Sequence, residues 1–404
     1  MSSAAPPSPA PLPHAFRYLF FAVLVNRLGS FVVPFLALYL TDARGFGATT
    51  VGAVAAAYGV GAILSQLLGG VLADRIGRRA AIVTGFVASA VAITTLGFAR
   101  DLHFLGFATF LVGLSDGLAR PATQAALADI VPAADRARAF TYIYWAANLG
   151  FATASVLAGF LAETRFELLF LADAATSLGA AVIIFLRLPE TRPAATARTA
   201  SRTALRDILT PFASTPFRVL FGITLLAAIV FFQFGSTMPI DLRSHGIDAR
   251  TYGALAGLNG LLVVLLQPFS IRLAARVRPY DALALGAILS GIGFGLFGYT
   301  TSVWGYAVAI FILTLGEIAT APAGGVVVSE IAPPHLRGSY QGAFGMVFSL
   351  AGAIGPLLGS RALDSLGSTA FWSLTFLLSA VAAGLYLSRG RRNSTAHVTA
   401  SEPG

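Results

Sequence analysis

The chain of 404 residues contains no cysteine and no lysine. Without cysteine there is no disulfide framework, no thiolate metal site and no thiol nucleophile. Histidine is scarce as well: the five, at positions 14, 103, 245, 335 and 397, are scattered over expected loops and tails at no metal-ligand spacing, so no metal site is expected. Charged residues make up only 11% of the chain against 56% hydrophobic residues, with a mean hydropathy of +0.77. That composition falls outside the range of soluble domains and makes a lipid bilayer the expected solvent. A nucleophile–base pair, a clustered metal set and a phosphate-binding loop beside a soluble domain are all missing, which argues against an enzyme and leaves no cofactor to expect. The glycines at 69, 70 and 77 lead into no Gly-Lys-Ser/Thr sequence, and Asp74 among them would repel phosphate.

What is present is arginine, which supplies all 27 basic side chains and points to GC-rich bacterial coding. The net charge of +9 does not imply a nucleic-acid partner, because the arginines lie in short loops between apolar stretches rather than on one face of a soluble domain. The first fourteen residues are rich in Pro, Ala and Ser without a basic cluster. The apolar stretch Tyr18–Leu40 is too long for a signal-peptide core, so it is expected to stay as a first membrane helix.

Crossing the hydrocarbon takes about 20 apolar residues per helix. Twelve such stretches are predicted, at 17–41, 49–72, 80–99, 104–128, 139–162, 168–187, 217–241, 250–270, 280–299, 304–328, 339–361 and 369–388. The expected fold is an all-α membrane protein of twelve transmembrane helices in two six-helix halves, 17–187 and 217–388. A disordered cytoplasmic tail over 1–16, a cytoplasmic linker over 188–216, helical around Thr203–Leu209, and a cytoplasmic tail over 389–404 complete the organisation. Counting arginines near span ends puts nineteen on the side of the termini and six on the other, with Arg27 and Arg120 inside spans. By the positive-inside rule both termini are cytoplasmic, as expected for a multi-pass protein of the plasma membrane.

The halves repeat at an offset of 201 residues. Asp116 maps to Glu317, Pro121 to Pro322, Asp129-Ile-Val-Pro132 to Glu330-Ile-Ala-Pro333, Arg136 to Arg337 and Gln66 to Gln267. Six spans per half make this a parallel repeat about an axis along the membrane normal, which puts a substrate site between the halves near mid-membrane.

Residues 70 to 79, Gly-Val-Leu-Ala-Asp-Arg-Ile-Gly-Arg-Arg, form a charged, glycine-punctuated turn between the second and third spans. This decapeptide resembles the signature of that loop in the major facilitator superfamily of secondary transporters and matches every defined position. The resemblance extends over nearly the whole chain and is nearest to the drug:proton antiporter branch. It implies a cytoplasmic gate built on Gly70, Asp74, Arg75, Gly77, Arg78 and Arg79, with Asp129 and Arg136 as further members. In it, Asp74 would meet the N-terminal end of helix 11, where the helix dipole favours a carboxylate. The sequence departs from the branch in two places: helix 5 carries Ala154-Ser155 where the branch has Gly-Pro, a pair found here in helix 11 as Gly355-Pro356, and helix 4 lacks the branch's basic residue, which would fall near Thr109. The matching loop of the second half, Ala275-Arg276-Val277-Arg278-Pro279, keeps basic charge but lacks the acid and the glycines, an asymmetry the resemblance also implies.

Charges in the hydrocarbon zone cost at least a few kcal/mol and persist where they face a cavity or a partner. Arg27, Asp116, Arg120 and Glu317 are the four in mid-span, and the resemblance assigns helices 1, 4, 7 and 10 to the central cavity, adding Gln233 of helix 7 as a neutral hydrogen-bonding candidate. Asp116 has Arg120 one turn away and is expected to stay ionised more readily. Glu317 has no basic residue on its own helix face and is the better expected proton carrier. Both could instead serve packing, with Arg27, Asp116 and Arg120 neutralising one another. Asp173, near the outer end of helix 6, reads as a packing or interfacial residue. Tyr58, Tyr142, Tyr144, Trp145, Asn148 and Asn259 are candidates for substrate contact or for helix packing.

The expected function is alternating-access transport, with a proton as the coupling ion and small amphipathic compounds or drugs as exported substrates. One alternative is proton-coupled import of a carboxylate- or peptide-like solute held by Arg27. The other is a receptor or scaffold that no longer transports. Expected partners are a small-molecule substrate and the bilayer, with no nucleic acid and a monomeric chain.

Overall fold

The computed structural model describes residues 12–132, 135–163, 165–191, 209–274, 277–333 and 336–400. The linker residues 203–208, the loop residues 275–276 and the side-chain surroundings of Gly70 and Asp74 lie outside the described residues. A backbone surrounded by lipid must satisfy its hydrogen bonds within its own segment, so long apolar runs fold as helices. Among the described residues there is no strand, and twelve helical stretches are long and apolar enough to cross a membrane.

Helices 2 to 6 are Ala48–Ile76, Arg78–Phe98, Leu102–Ile130, Arg136–Ala162 and Phe166–Arg187. Helices 8 to 12 are Ala249–Ala274, Pro279–Phe297, Val303–Ile331, Arg337–Leu366 and Ser368–Ala400. Most extend beyond the predicted apolar cores, because hydropathy measures the part in lipid and not where helical hydrogen bonding stops. Helix 12 shows this best: it runs past Ser388 to Ala400, and no proline interrupts the polar extension that was expected to be a tail.

Helices 1 and 7 are interrupted, against the expectation of unbroken spans. Helix 1 consists of His14–Leu28 and Val32–Leu38, followed by a π-helical turn at Tyr39–Ala43. Pro34 has no N–H to give the Ser30 carbonyl, and its ring would clash with that carbonyl in a continuous helix. Helix 7 is divided into Thr215–Phe231, Gln233–Ser236 and Met238–Ser244, with Pro239 in the first turn of its last piece.

Packing obeys the repeat. In the first half helix 4 packs on 2 and 3, helix 6 on 1 and 3, and helix 5 on 1; in the second, helix 10 packs on 8 and 9, helix 12 on 7 and 9, and helix 11 on 7. Helix 2 meets helix 11 and helix 5 meets helix 8 across the halves. These crossings are close because of small residues. A Cβ on Gly52 would run into Pro356 and Ser360, and one on Gly253, 201 residues later, into the equivalent Ser155 and Gly159.

With twelve crossings the start of helix 1 and the end of helix 12 lie on one face, here called the terminal face. The crossings at Gly52 and Gly253 lie near the opposite, far face, since helices 2 and 8 both begin there. Polar pairs join the halves on that face: Asp42 to Arg243 at 3.0 Å, Glu163 to Arg250 at 2.7 Å, and Thr49, whose N–H and hydroxyl donate to Asp364 at 3.0 and 2.6 Å. The far face is therefore closed.

A cavity between the halves

The space left between the halves reaches toward the terminal face. One cavity of about 540 Å³ extends from Arg27 and Asp116 to Leu127, Phe140 and Thr141, near the terminal-face ends of helices 4 and 5. A second, about 710 Å³, runs along helices 2, 4 and 11 from Tyr58 and Asp116 to Gln341 and Gly342. Helix 4 turns one face into both, placing Asp116, Arg120 and Gln124 at helical spacing. A smaller chamber of about 320 Å³ lies deeper, walled by Tyr58, Phe151, Phe231, Phe232, Phe234 and Tyr252, with Glu317 on its border.

The two mid-membrane carboxylates are built to one plan. The Tyr58 hydroxyl donates to Asp116 Oδ2 at 2.8 Å, and Asn259 Nδ2 donates to Glu317 Oε2 at 3.0 Å. Tyr58 and Asn259 are 201 residues apart, as are Asp116 and Glu317, so each half fixes its acid with one donor from the neighbouring helix. The repeat fails in the countercharge. Arg120 lies 3.8 Å from Asp116, and Arg27 acts on the same carboxylate across the cavity; their equivalents are Ala321 and Ala228. The second half thus leaves its acid with neutral partners: Asn259 is shared with Thr314 at 2.9 Å, and Tyr144 of helix 5 lies within electrostatic reach.

Four of the five expected cavity residues, Arg27, Asp116, Arg120 and Glu317, do border these spaces. Gln233 does not. It is 2% exposed and its amide is engaged by the protein, donating to the carbonyls of Ile229 at 2.7 Å and Gly355 at 3.1 Å while accepting from Thr237 at 2.6 Å. It joins helix 7 to helix 11 beside the Gly355-Pro356 pair. Thr109 is buried and its hydroxyl has no partner among the described residues.

Three members of the expected gate, Arg78, Arg79 and Arg136, make contacts within the first half. Arg78 is buried against Asp129 at 3.4 Å, Arg79 stacks on Phe185, and Arg136 donates to the Val131 carbonyl at 3.2 Å. Glu190, just beyond helix 6, accepts the N–H groups of Arg78 and Arg79 at 2.8 and 3.2 Å and so caps helix 3. That contact accounts for Gly77, which has a φ of 97° and where a Cβ would run into the Glu190 carboxylate. Arg75 is exposed at the end of helix 2.

Sequence reasoning missed Glu190 and the far-face pairs. The signal for the pairs was available in the repeat: Asp42 maps to Arg243, Thr49 to Arg250 and Glu163 to Asp364.

Two halves related by an internal repeat, closed at one face and hollow toward the other around paired carboxylates, form a transporter architecture. The sequence profile of the Major Facilitator Superfamily matches residues 19–242 and 220–403. The chain belongs to the major facilitator superfamily. Among its relatives are the multidrug resistance protein MdtH of Enterobacter sp. (strain 638), 28% identical over 84% of this chain and 84% of that protein, and a Na(+), Li(+), K(+)/H(+) antiporter of Planococcus maritimus, 27% identical over 81% and 84%. The crystal structure of a POT family transporter in complex with 5-aminolevulinic acid has the same fold, with a TM-score of 0.79 at 18% identity over 93% of this chain and 96% of that one. This superfamily member is thus an integral multi-pass membrane protein of a transporter family.

Proposed function

We propose that the protein exports small amphipathic compounds in exchange for protons, with Glu317 as the principal proton carrier and Asp116 as the second. The observation that carries this reading is the unequal environment of two equivalent carboxylates: two arginines attend Asp116, whereas Glu317 faces an aromatic chamber with only neutral donors among the described residues. Such a setting favours a carboxyl group that alternates between a proton and a bound cationic or polar ligand, whereas a fixed countercharge lowers proton affinity and makes Asp116 the weaker carrier of the two. The Phe-rich wall suits an apolar body, and Glu317 suits a basic or hydrogen-bonding end. The multidrug and cation/proton antiporter relatives support the same class. In this reading the terminal face is cytoplasmic, in accord with its arginine excess, and the closed far face is the outer one.

A second reading has one observation in its favour. Arg27 and Arg120 both border the cavity of about 540 Å³ and offer a fork for a carboxylate, as import of an organic anion would need.

Purified protein in proteoliposomes separates the two. Efflux requires that an amphipathic dye such as ethidium move against an imposed proton gradient, that an uncoupler abolish the movement, and that Glu317→Gln leave only gradient-independent exchange. Gradient-driven transport by Glu317→Gln equal to wild type overturns the role of Glu317. Movement of a small carboxylate along with protons favours the second reading.

A further inference from the structure

The first half contains another buried carboxylate that this scheme leaves unused. Asp173 is 4% exposed and lies seven residues into helix 6, roughly 10 Å from its far-face end at 1.5 Å per residue. Asp116 lies fourteen residues into helix 4, roughly 20 Å from the same face. A separate polar chamber of about 160 Å³ is bordered by both carboxylates and by Arg27, Ser30, Tyr58 and Ser89. It is roomy enough, and has hydrogen-bonding groups enough, for a short chain of waters.

Asp173 has a structural duty, since its Oδ2 accepts the Val32 N–H at 3.2 Å where helix 1 resumes after its break, with the Phe31 N–H also directed at it. A carboxylate has about four acceptor positions, so these bonds leave capacity for chamber water. The charged groups that act on Asp173 are Asp116 from helix 4 and Arg27 from helix 1. Helix 2 presents Tyr58 to the chamber, helix 3 presents Ser89 and Ile93, helix 5 presents Phe151, and Arg120 borders it beside Asp116. Two carboxylates sharing one low-dielectric space titrate as a pair, and a proton passes between them at less cost than two negative charges remain together.

We propose that Asp173 is an outer proton-loading residue, passing its proton through chamber water to Asp116. With the far face open, Asp173 takes a proton from that side. The proton then moves onto chamber water while a water proton transfers to Asp116. Asp173 returns to its carboxylate form with Arg27 as countercharge, and Asp116 later releases its proton to the cavity facing the terminal face. The proposal rests on the reading of Asp116 as a coupling carboxylate.

Asp173→Asn is the informative variant, because its amide oxygen still accepts the Val32 N–H while the titratable group is gone. Two readouts are taken on wild type and variant: proton uptake by the detergent-solubilised protein across the neutral range, and the pH dependence of ethidium transport in proteoliposomes. Asp173→Asn is expected to take up fewer protons and to move the half-maximal pH of transport by about one unit. Wild-type proton uptake together with a wild-type pH dependence overturns the proposal and leaves Asp173 a structural cap. If Asp173→Asn does not assemble, Asp173→Glu carries the test by infrared titration. A carboxyl band of the wild type that shifts in Asp173→Glu supports the proposal, and an unchanged spectrum overturns it. Wild-type ethidium transport that ignores the proton gradient would overturn the coupling reading instead, while the titration still decides whether Asp173 exchanges protons.

Discussion

Asp42 and Arg243 occupy the same position in the two repeats, 201 residues apart, and their side chains pair at 3.0 Å across the line between the halves. Around this contact the other far-face pairs, Glu163 with Arg250 and Asp364 with Thr49, are images of each other under the same offset. The duplicated geometry provides two equivalent crossings, and divergence of charge turned each into a polar clasp. Arg243 and Arg250 remain about half exposed, so each ion pair contributes less than about 1 kcal/mol. The clasp biases the closed far face without locking it.

Removing one partner should therefore shift the equilibrium between conformations modestly. Asp42→Asn is expected to raise the far-face-open population up to about fivefold, the equivalent of about 1 kcal/mol, and the exchange Asp42→Arg with Arg243→Asp to restore most of it. Distances between spin labels on helices 1 and 7 report the populations. An unchanged distribution in Asp42→Asn would show that helix contacts alone set the balance.

The close crossing of helices 5 and 8 should be far less forgiving. Gly253→Ala puts a Cβ against the Ser155 carbonyl and the Gly159 backbone, so far-face closure and transport should both be lost while the protein still folds. Gly106→Ala is the control, since its Cβ meets nothing within 4 Å. Cross-linking of cysteines introduced at the far-face ends of helices 5 and 8 measures closure directly.

Tyr58→Phe removes the neutral donor to Asp116 but leaves the ring in the aromatic wall. Loss of a hydrogen bond to a charged group costs about 1.5–3 kcal/mol. Dye binding is expected to stay near wild type while the pH dependence of transport shifts. Equal losses in binding and in pH response would assign Tyr58 to substrate contact instead.

At the terminal face, Glu190→Ala should destabilise the first half by about 1 kcal/mol through loss of the helix 3 cap. Glu190→Gln, which keeps an acceptor, should recover part of that loss in thermal melting.

Asp101 gives a pH-dependent case outside the membrane. It caps helix 4, accepting the N–H groups of Phe104 at 3.0 Å and His103 at 2.9 Å, and these bonds hold its carboxyl below its ordinary range. A lowered carboxyl value stabilises the fold above about pH 4 and loses that contribution as pH falls through the folded-state value. The melting difference between wild type and Asp101→Ala should accordingly be present at neutral pH and vanish on acidification; a difference that persists in acid would assign it to packing.

Twelve spans and the 201-residue repeat were both legible in the sequence, because in lipid each follows from a local rule. Apolar length sets a span, and identical local folds keep an offset. The mid-membrane charges were legible for the same reason: Arg27, Asp116, Arg120 and Glu317 cost too much in hydrocarbon to lie anywhere but against a cavity. Partner choice was not legible. Gln233 carries the same amide whether it faces substrate space or helix 11, and only the packing of helix 7 on Gly355 decided between them. The decapeptide at 70 to 79 identified the family, yet its described charges brace helices 3, 4 and 6 within one half, while the halves meet at the opposite face through Asp42, Glu163 and Asp364. Sequence alone determined what each segment must do with its own hydrogen bonds and apolar surface. Which halves touch, and at which face, depends on contacts between residues two hundred positions apart, and only the tertiary structure brings those together.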